Sequence, residues 1–245
     1  MSDQDRSGQQ AALPIEVGEQ PAPRRGLPRA ADLVIAVAGL IVASPVLLAA
    51  AAAIRLGSRG PVIYRQRRVG KGGEIFELWK LRTMKQGADP IGVGTAVIDD
   101  DPRVTRAGRV LRRYSLDELP NLVNVLRGEM AIVGPRATLP AQVELYTPRQ
   151  RRRLELRPGV TGWAQIHGRT GIPWEERIEF DVWYVEHRSL GLDLRILART
   201  PRMLFGGIGG SAPDPFAGSP PGSPLRQAAE REQAAEREEA GGPTH

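Results

Sequence analysis

The chain lacks cysteine entirely and has little histidine. The absence of cysteine among its 245 residues excludes disulfides, thiolate metal sites and cysteine nucleophiles. Of its three histidines, His167 and His187 lie in the central region, and they are too sparse to indicate a zinc site or a catalytic triad. The glycine clusters at 70–73 and 206–210 lack the residue patterns of a P-loop or a dinucleotide-binding fingerprint.

Acidic residues are outnumbered in the middle of the chain. The formal net charge is +6. Residues 1–29 are neutral overall and residues 211–245 carry −3, so +9 remains for residues 30–210. A cationic body suits phosphate-bearing partners such as nucleotides, anionic lipid or nucleic acid. Aromatic residues make up only 5% of the chain, which disfavours a module that binds nucleic acid by stacking bases.

Composition divides the chain into four parts. Residues 1–29 and 211–245 are polar and rich in proline and glycine, and we expect them to be disordered tails. Between them we predict a membrane segment at 30–56 and a catalytic domain at 57–210. Within the membrane segment, residues 33–54 carry no charge over 22 residues, and as a helix they would reach about 33 Å, enough to cross a bilayer once.

Three interpretations of the apolar segment compete. A cleaved signal peptide is disfavoured because the apolar run is longer than in such peptides. A single straight span is possible, but Pro45 near its middle removes a helix hydrogen bond and clashes with the carbonyl of Ile41, while Ser44 can satisfy the freed backbone group. Basic residues also flank both sides, whereas a span should show an asymmetry. These features favour a re-entrant hairpin that enters and leaves on one face. The flanking residues are Arg24, Arg25 and Arg29 before the segment and Arg55, Arg59, Arg65, Arg67 and Arg68 after it.

The remaining central region is predicted to contain short mixed elements, which indicates an α-rich α/β class. Strands are predicted at 61–66 and 74–80 around the glycine turn at 70–73, and at 160–166. Helices are predicted at 110–113, 119–126, 138–156, 174–187 and 190–204. In the last helix, leucines lie on one side and arginines largely on another, as in a membrane-interface helix or an ordinary surface helix.

Residues 112–120, RRYSLDELP, concentrate the candidate chemistry. Asp117 and Glu118 beside two arginines offer a nucleophile, a metal ligand and phosphate-binding cations. A purely structural interpretation competes, because Ser115-x-x-Glu118 matches a capping box that serves a helix start. Pro120 disfavours the capping box, since it would forfeit a backbone hydrogen bond at that helical position. On these residues alone, both interpretations stay open.

Further cations suited to phosphate occur elsewhere, although each taken singly is more often a solvated charge. They are Lys80, Arg82, Arg103, Arg136 and Arg157.

The order of these blocks resembles the bacterial sugar transferase family, the monotopic polyprenol-phosphate phosphoglycosyl transferases. The resemblance runs from about residue 32 to residue 209. It rests on the apolar segment broken by Ser44-Pro45 and on the blocks GPVIYRQRRVGKGG (60–73), FELWKLRTM (76–84), DPRVTRAGRVLRRYSLDELPNLVNVLRGEM (101–130), IVGPR (132–136), RPGVTGWAQIHGR (157–169) and FDVWYVEHRSLGLDLRIL (180–197). Three departures stand out: Ala137-Thr138 replace the usual Pro-Glu after GPR, His167 replaces an asparagine, and the basic pair before the apolar segment is reduced to Arg29.

The resemblance implies a fold and a mechanism. The fold would be a re-entrant membrane helix hairpin joined to a small cytoplasmic catalytic domain with interfacial amphipathic helices and short strands. Asp117 would attack the β-phosphorus of a UDP-sugar, releasing UMP, and polyprenyl phosphate would then take the phosphosugar from Asp117. Glu118 would hold Mg²⁺. The residues that would orient the phosphates are Arg112, Arg136 and Arg157, together with Lys80 and Arg82.

The resemblance also implies partners and a location. The partners would be a UDP-sugar, a polyprenyl phosphate lipid and the membrane, with no nucleic acid. The expected location is the cytoplasmic face of the bacterial inner membrane. The rival classes are a non-catalytic basic module that binds nucleic acid or anionic membrane, and a glycosyl transferase that moves the sugar without its phosphate.

Overall fold

Helices dominate residues 25–88, 101–168 and 174–205, which the computed structural model describes. The helices are α1 (Arg29–Gly57), α2 (Arg106–Arg113), α3 (Asn121–Arg127), α4 (Pro140–Glu144), α5 (Pro148–Arg151), α6 (Trp163–Gly168), α7 (Trp174–His187) and α8 (Leu190–Phe205). The strands are β1 (Ile63–Val69), β2 (Ile75–Leu81), β3 (Ala131–Val133) and β4 (Gly159–Thr161), with 3₁₀ turns at Lys71–Gly73, Leu116–Glu118 and Arg152–Glu155. This mixture confirms the α-rich α/β class. The predicted C-terminal tail and residues 1–24 of the N-terminal tail lie outside the described residues, as does the glycine cluster at 206–210.

α1 runs without interruption through Pro45. The Ser44 hydroxyl donates a hydrogen bond of 2.7 Å to the carbonyl of Ile41, which is the group that Pro45 leaves without an amide partner. This local compensation keeps the helix intact. The hairpin predicted here is therefore not confirmed, because the structure contains one continuous helix rather than two arms joined by a turn.

The two faces of α1 have different environments. Ala36, Ala43 and Ala50, spaced seven residues apart and hence on one face, are buried, and α1 packs against α2, α3 and β3. Among the described residues, α1 is the one helix long and apolar enough to cross a membrane. Its outward face carries exposed Val34, Ile41, Val42 and Leu48, with Val42 79% exposed. An apolar surface of this extent indicates membrane association.

The predicted hairpin of β1 and β2 is confirmed, together with its glycine turn. The strands pair antiparallel, with Tyr64 opposite Lys80 and Arg68 opposite Phe76. Residues opposite one another in an antiparallel pair share a face, and side chains alternate along each strand. Arg68 therefore lies on the same face of the hairpin as Lys80.

Asn124 joins α3 to the free edge of β2. Its side-chain oxygen accepts from the Trp79 amide at 3.0 Å, and its Nδ2 donates to the Glu77 carbonyl at 2.6 Å. Asn124 is fully buried and so takes the place of a neighbouring strand. This contact sets the start of α3 beside Lys80. The predicted end of α3 at Gly128 is confirmed, and this residue has a left-handed φ of 87°.

β3 and β4 pair in parallel, with Ala131 opposite Gly159 and Val133 opposite Thr161. They adjoin the main core, which collects buried side chains from α1, α3, β3, α7 and α8, among them Ala36, Val125, Ile132, Val185 and Ile196. The pairing brings the loop after β3 beside the segment that leads into α6.

Two secondary-structure predictions were wrong. The helix predicted at 138–156 is divided into α4, α5 and a 3₁₀ turn, because Thr147 caps a new helix and Pro148 at its first position cannot continue the previous one. The strand predicted at 160–166 ends at Thr161. The Gly134 amide makes the last ladder bond to Thr161, and the next residue, Pro135, has no N–H to extend it. The helices predicted at 174–187 and 190–204 are confirmed as α7 and α8.

Candidate functional site

A sharp turn presents Asp117 and Glu118 between α2 and α3. Ser115 adopts the left-handed conformation with φ 55°, and among the described residues it is the one non-glycine residue with a positive φ. Such strain in a buried residue is characteristic of functional sites. Ser115 makes no side-chain cap hydrogen bond to the turn that follows. The capping-box interpretation is therefore wrong.

Glu118 is held by two cations from distant parts of the chain. Its Oε1 accepts from Lys80 Nζ at 2.9 Å and from Arg136 Nη2 at 2.9 Å. The Glu118 and Lys80 side chains are only 16% and 17% exposed, so the bond between them is largely shielded from water, whereas the Arg136 side chain is 42% exposed. The structure thus brings together three of the residues predicted from the sequence.

The environment of Asp117 opposes its ionisation. Burial raises the pKa of the Asp117 carboxyl, the positive charges of Lys80 and Arg112 counteract that rise, and the neighbouring Glu118 adds to it. A carboxylate that is poorly solvated but close to cations is a suitable nucleophile, because it is not masked by a tight water shell.

Arg112 reaches the site because α2 lies very close to the chain segment after β2. Its Nε donates to Thr83 Oγ1 at 2.8 Å. A Cβ at Gly108 would lie 2.0 Å from the Thr83 carbonyl oxygen, so only glycine permits this approach. Burial lowers the pKa of Arg112, and the nearby Asp117 charge counteracts that shift.

A buried ion pair fixes the backbone of Arg136. The Arg136 amide donates to Asp181 Oδ2 at 3.3 Å, and Arg153 Nη2 donates to the Arg136 carbonyl at 2.9 Å. Arg153 and Asp181 form a short ion pair, and their side chains are 4% and 1% exposed. Neither residue was predicted from the sequence. Asp181 could have been found as an acidic residue on the otherwise apolar face of α7, beside the buried Ile178 and Val182.

Thr138, one of the residues that depart from the family pattern, is connected to the Arg153–Asp181 pair by hydrogen bonds. Thr138 Oγ1 donates to Gln142 Oε1 at 2.7 Å and lies 2.8 Å from the hydroxyl of Tyr146. That hydroxyl accepts from Arg153 Nη1 at 2.6 Å. Thr138 is 2% exposed, and its hydrogen bonds anchor the loop that carries Arg136.

A cleft opens beside Glu118. Its walls include Arg68, Asn121 and Gln165, none of which was predicted from the sequence. Arg68 could have been found from the alternation of side chains along β1, which places it on the same face of the hairpin as Lys80. Asn121 Oδ1 and Gln165 Oε1 are buried without a hydrogen-bond partner. The lining residues are Arg68, Leu78, Lys80, Glu118, Asn121, Met130, Arg136, Ala137, Gly159, Val160 and Gln165.

Two predicted phosphate-binding residues contact other parts of the molecule. Arg82 donates to the carbonyls of Arg59 at 2.8 Å and Ser58 at 2.9 Å, and so fastens the loop after α1. Arg157 Nε donates to the Gly128 carbonyl at 2.8 Å, at the end of α3. The structure does not bring either side chain into contact with Glu118, and their roles towards phosphate stay predictions.

The cleft offers few donor atoms for the predicted Mg²⁺. Within the described ranges, no group of three or more histidine, aspartate or glutamate side chains could hold a metal ion. Mg²⁺ bound with substrate phosphates commonly needs only one or two carboxylates from the protein, with water completing the shell. Glu118 and the unpartnered Asn121 Oδ1 fit that requirement.

A carboxylate pair surrounded by cations, on a body fastened to an exposed apolar helix, is typical of a membrane-associated enzyme that acts on phosphate-containing substrates. The profile of the bacterial sugar transferase family matches residues 24–207. The chain therefore belongs to the bacterial sugar transferase family, and it is an enzyme of the phosphotransferase class.

Similar proteins support this assignment. The uncharacterized sugar transferase EpsL of Bacillus subtilis is 46% identical over 179 residues, which cover 73% of this chain and 87% of that protein. The UDP-glucose:undecaprenyl-phosphate glucose-1-phosphate transferase of Escherichia coli is 45% identical over 72% of this chain and 39% of its own length. The UDP-N-acetylgalactosamine-undecaprenyl-phosphate N-acetylgalactosaminephosphotransferase of Aeromonas hydrophila is 41% identical over 74% of this chain and 44% of its own length. The chain thus spans less than half of these last two proteins.

Proposed function

We propose that the chain transfers a hexose-1-phosphate from a UDP-sugar to polyprenyl (undecaprenyl) phosphate and releases UMP. This reaction would be the first membrane step in the synthesis of an exopolysaccharide, O-antigen or capsule. The relatives named for UDP-sugar and undecaprenyl phosphate support the substrate classes. The observation that carries the proposal is the partly buried Asp117–Glu118 pair, with Lys80 and Arg136 both bound to Glu118.

The proposed chemistry has two displacements at one phosphorus atom. An Asp117 carboxylate oxygen attacks the β-phosphorus, and the bond from that phosphorus to the bridging oxygen breaks. The bridging oxygen leaves with its electron pair as part of UMP. A phosphate oxygen of the lipid then attacks the same phosphorus, the bond to Asp117 breaks, and the carboxylate is regenerated with polyprenyl-diphosphate-sugar as product.

The cations serve the charge that accumulates during both steps. Lys80, Arg112 and Arg136 lie around the carboxylates and would orient phosphate oxygens and neutralise the leaving group. Mg²⁺, when bound by Glu118 with Asn121 and substrate oxygens, would supply further neutralisation of the diphosphate.

We further propose a re-entrant arrangement in the sense that both ends of the continuous helix α1 lie on the cytoplasmic side of the inner membrane, where the helix holds the catalytic body. Both ends of α1 contact the same body: Asp32 near its start accepts from the Ile132 amide at 3.0 Å, and Ile54 near its end packs with Leu81 and Leu111. A helix that crossed the bilayer would carry one end away from that body. The exposed Leu190 and Leu194 of α8 would add an interfacial anchor.

The test is the nucleotide product. Detergent-solubilised protein is incubated with undecaprenyl phosphate and a panel of UDP-sugars, and nucleotides are separated after the reaction. We expect UMP with at least one sugar. Release of UDP would show that the sugar moves without its phosphate, and would replace this proposal with an ordinary glycosyl transfer.

A further inference from the structure

Arg68 lies in the cleft, and its hydrogen bonds go to neutral groups rather than to a carboxylate. Nη1 donates to the Ala137 carbonyl at 3.4 Å and Nη2 donates to Gln66 Oε1 at 2.7 Å, both neutral acceptors. Its Nε is buried without a hydrogen-bond partner. Among the described residues, the ion pairs of the cleft join Glu118 to Lys80 and Arg136, and none includes Arg68.

The cleft carries an excess of positive charge. Burial and the neighbouring Arg136 lower the pKa of Arg68 to about 10, although the charge of Glu118 partly opposes them, and Arg68 stays protonated at neutral pH. Glu118 is already shared by two cations. A largely desolvated guanidinium with no carboxylate hydrogen-bonded to it is costly, and an anion entering the cleft would relieve that cost.

We propose that Arg68 binds a substrate phosphate group and forms, with Arg136, an anion subsite beside Glu118. The planar guanidinium presents paired N–H groups that match two oxygens of one phosphate. The inference rests on the proposed function for the identity of the substrates. Both the nucleotide diphosphate and the polyprenyl phosphate offer this chemistry, and binding experiments can separate them.

The experiment compares Arg68→Gln and Arg68→Met with Arg67→Gln as the matched control. Arg67 is the adjacent residue of β1, is exposed and points to the opposite face. Binding of inorganic pyrophosphate and of geranyl phosphate, a short soluble polyprenyl phosphate, is measured by calorimetry on the full chain in detergent. We expect either Arg68 substitution to weaken at least one affinity by about tenfold or more, as loss of a charge-assisted contact does. Arg67→Gln should bind like wild type.

Each result has a distinct meaning. A loss confined to pyrophosphate assigns Arg68 to the nucleotide diphosphate, a loss confined to geranyl phosphate assigns it to the lipid, and loss of both indicates a shared position. A folded Arg68 variant that binds both anions like wild type overturns the proposal, even if its melting temperature has fallen, because Arg68 then only braces the loop at Ala137. Failure of wild type to bind either anion overturns it as well. If wild type binds pyrophosphate through Arg68 but transfers no sugar phosphate, the subsite stands and the proposed function falls.

Discussion

Replacing Asp117 by asparagine separates a covalent nucleophile from a structural residue. The change is isosteric and removes only the attacking carboxylate, so the turn at Ser115 and the contacts of Glu118 should persist. Turnover should fall by about 10³-fold or more, as for other covalent nucleophiles. That factor corresponds to about 4 kcal/mol of activation free energy at 25 °C.

The same substitution should not destabilise the protein at neutral pH. Burial raises the pKa of Asp117 above that of an unfolded chain, so the folded state favours the protonated carboxyl. Ionisation of Asp117 therefore lowers the free energy of unfolding. This loss is absent below the pKa of Asp117 in the unfolded chain and is complete above its pKa in the folded protein. Asparagine carries no charge and so avoids this loss, and the melting temperature of Asp117→Asn should equal or exceed that of wild type. Asp101→Asn is the matched control: Arg103 lowers the pKa of Asp101, so this variant should lose stability at neutral pH.

Turnover is measured as UMP release, and the intermediate by mass spectrometry. Incubation with UDP-sugar and no lipid should add one phosphosugar to the peptide containing Asp117, and polyprenyl phosphate should then remove it. The adduct should be absent from Asp117→Asn. A folded Asp117→Asn protein that keeps more than a few per cent of wild-type turnover would refute the assignment while leaving family membership intact.

Three further predictions concern the metal, the support of Arg136 and the membrane. Glu118→Gln should fold but lose most activity and its response to Mg²⁺; a wild-type response would exclude Glu118 as a ligand. Asp181→Asn should lower kcat/KM in wild type but add little in an Arg136→Ala background, whereas an equal loss in both would show that Asp181 acts elsewhere. Single cysteines at Arg25 and Arg59, placed in a chain that has no cysteine of its own, should be labelled only from the cytoplasmic side. Periplasmic labelling of either one would reject the re-entrant arrangement.

Local features of the sequence were sufficient to predict several elements. The glycine turn at 70–73 and the alternation on either side of it predicted the hairpin of β1 and β2. Gly128 predicted the end of α3, and Ser44 was expected to compensate for Pro45, as its hydrogen bond to Ile41 does. These features succeed because turns, caps and proline act over a few residues through backbone sterics and hydrogen bonds.

Elements that depend on tertiary partners were predicted less well. The strand predicted beyond Thr161 had no partner to pair with once β3 ended before Pro135. α1 satisfies the length and composition of a membrane span, yet its alanine face lies against the body. Such outcomes depend on packing that apolar periodicity along one segment does not specify.

The sequence determined that Asp117 and Glu118 are neighbours in a basic region, and their motif indicated the family. Only the tertiary structure decided which cations reach them. Lys80 and Arg136 converge on Glu118 from 38 and 18 residues away, while Arg82, two positions after Lys80, lies beyond the end of β2 and fastens the loop after α1. Arg68 lies in the cleft because the pairing of β1 with β2 puts it on the same face as Lys80, and no sequence motif marks it. The physical reason is that the electrostatics of a site depend on burial and on distances between charges, and both are created by packing between elements far apart in the chain.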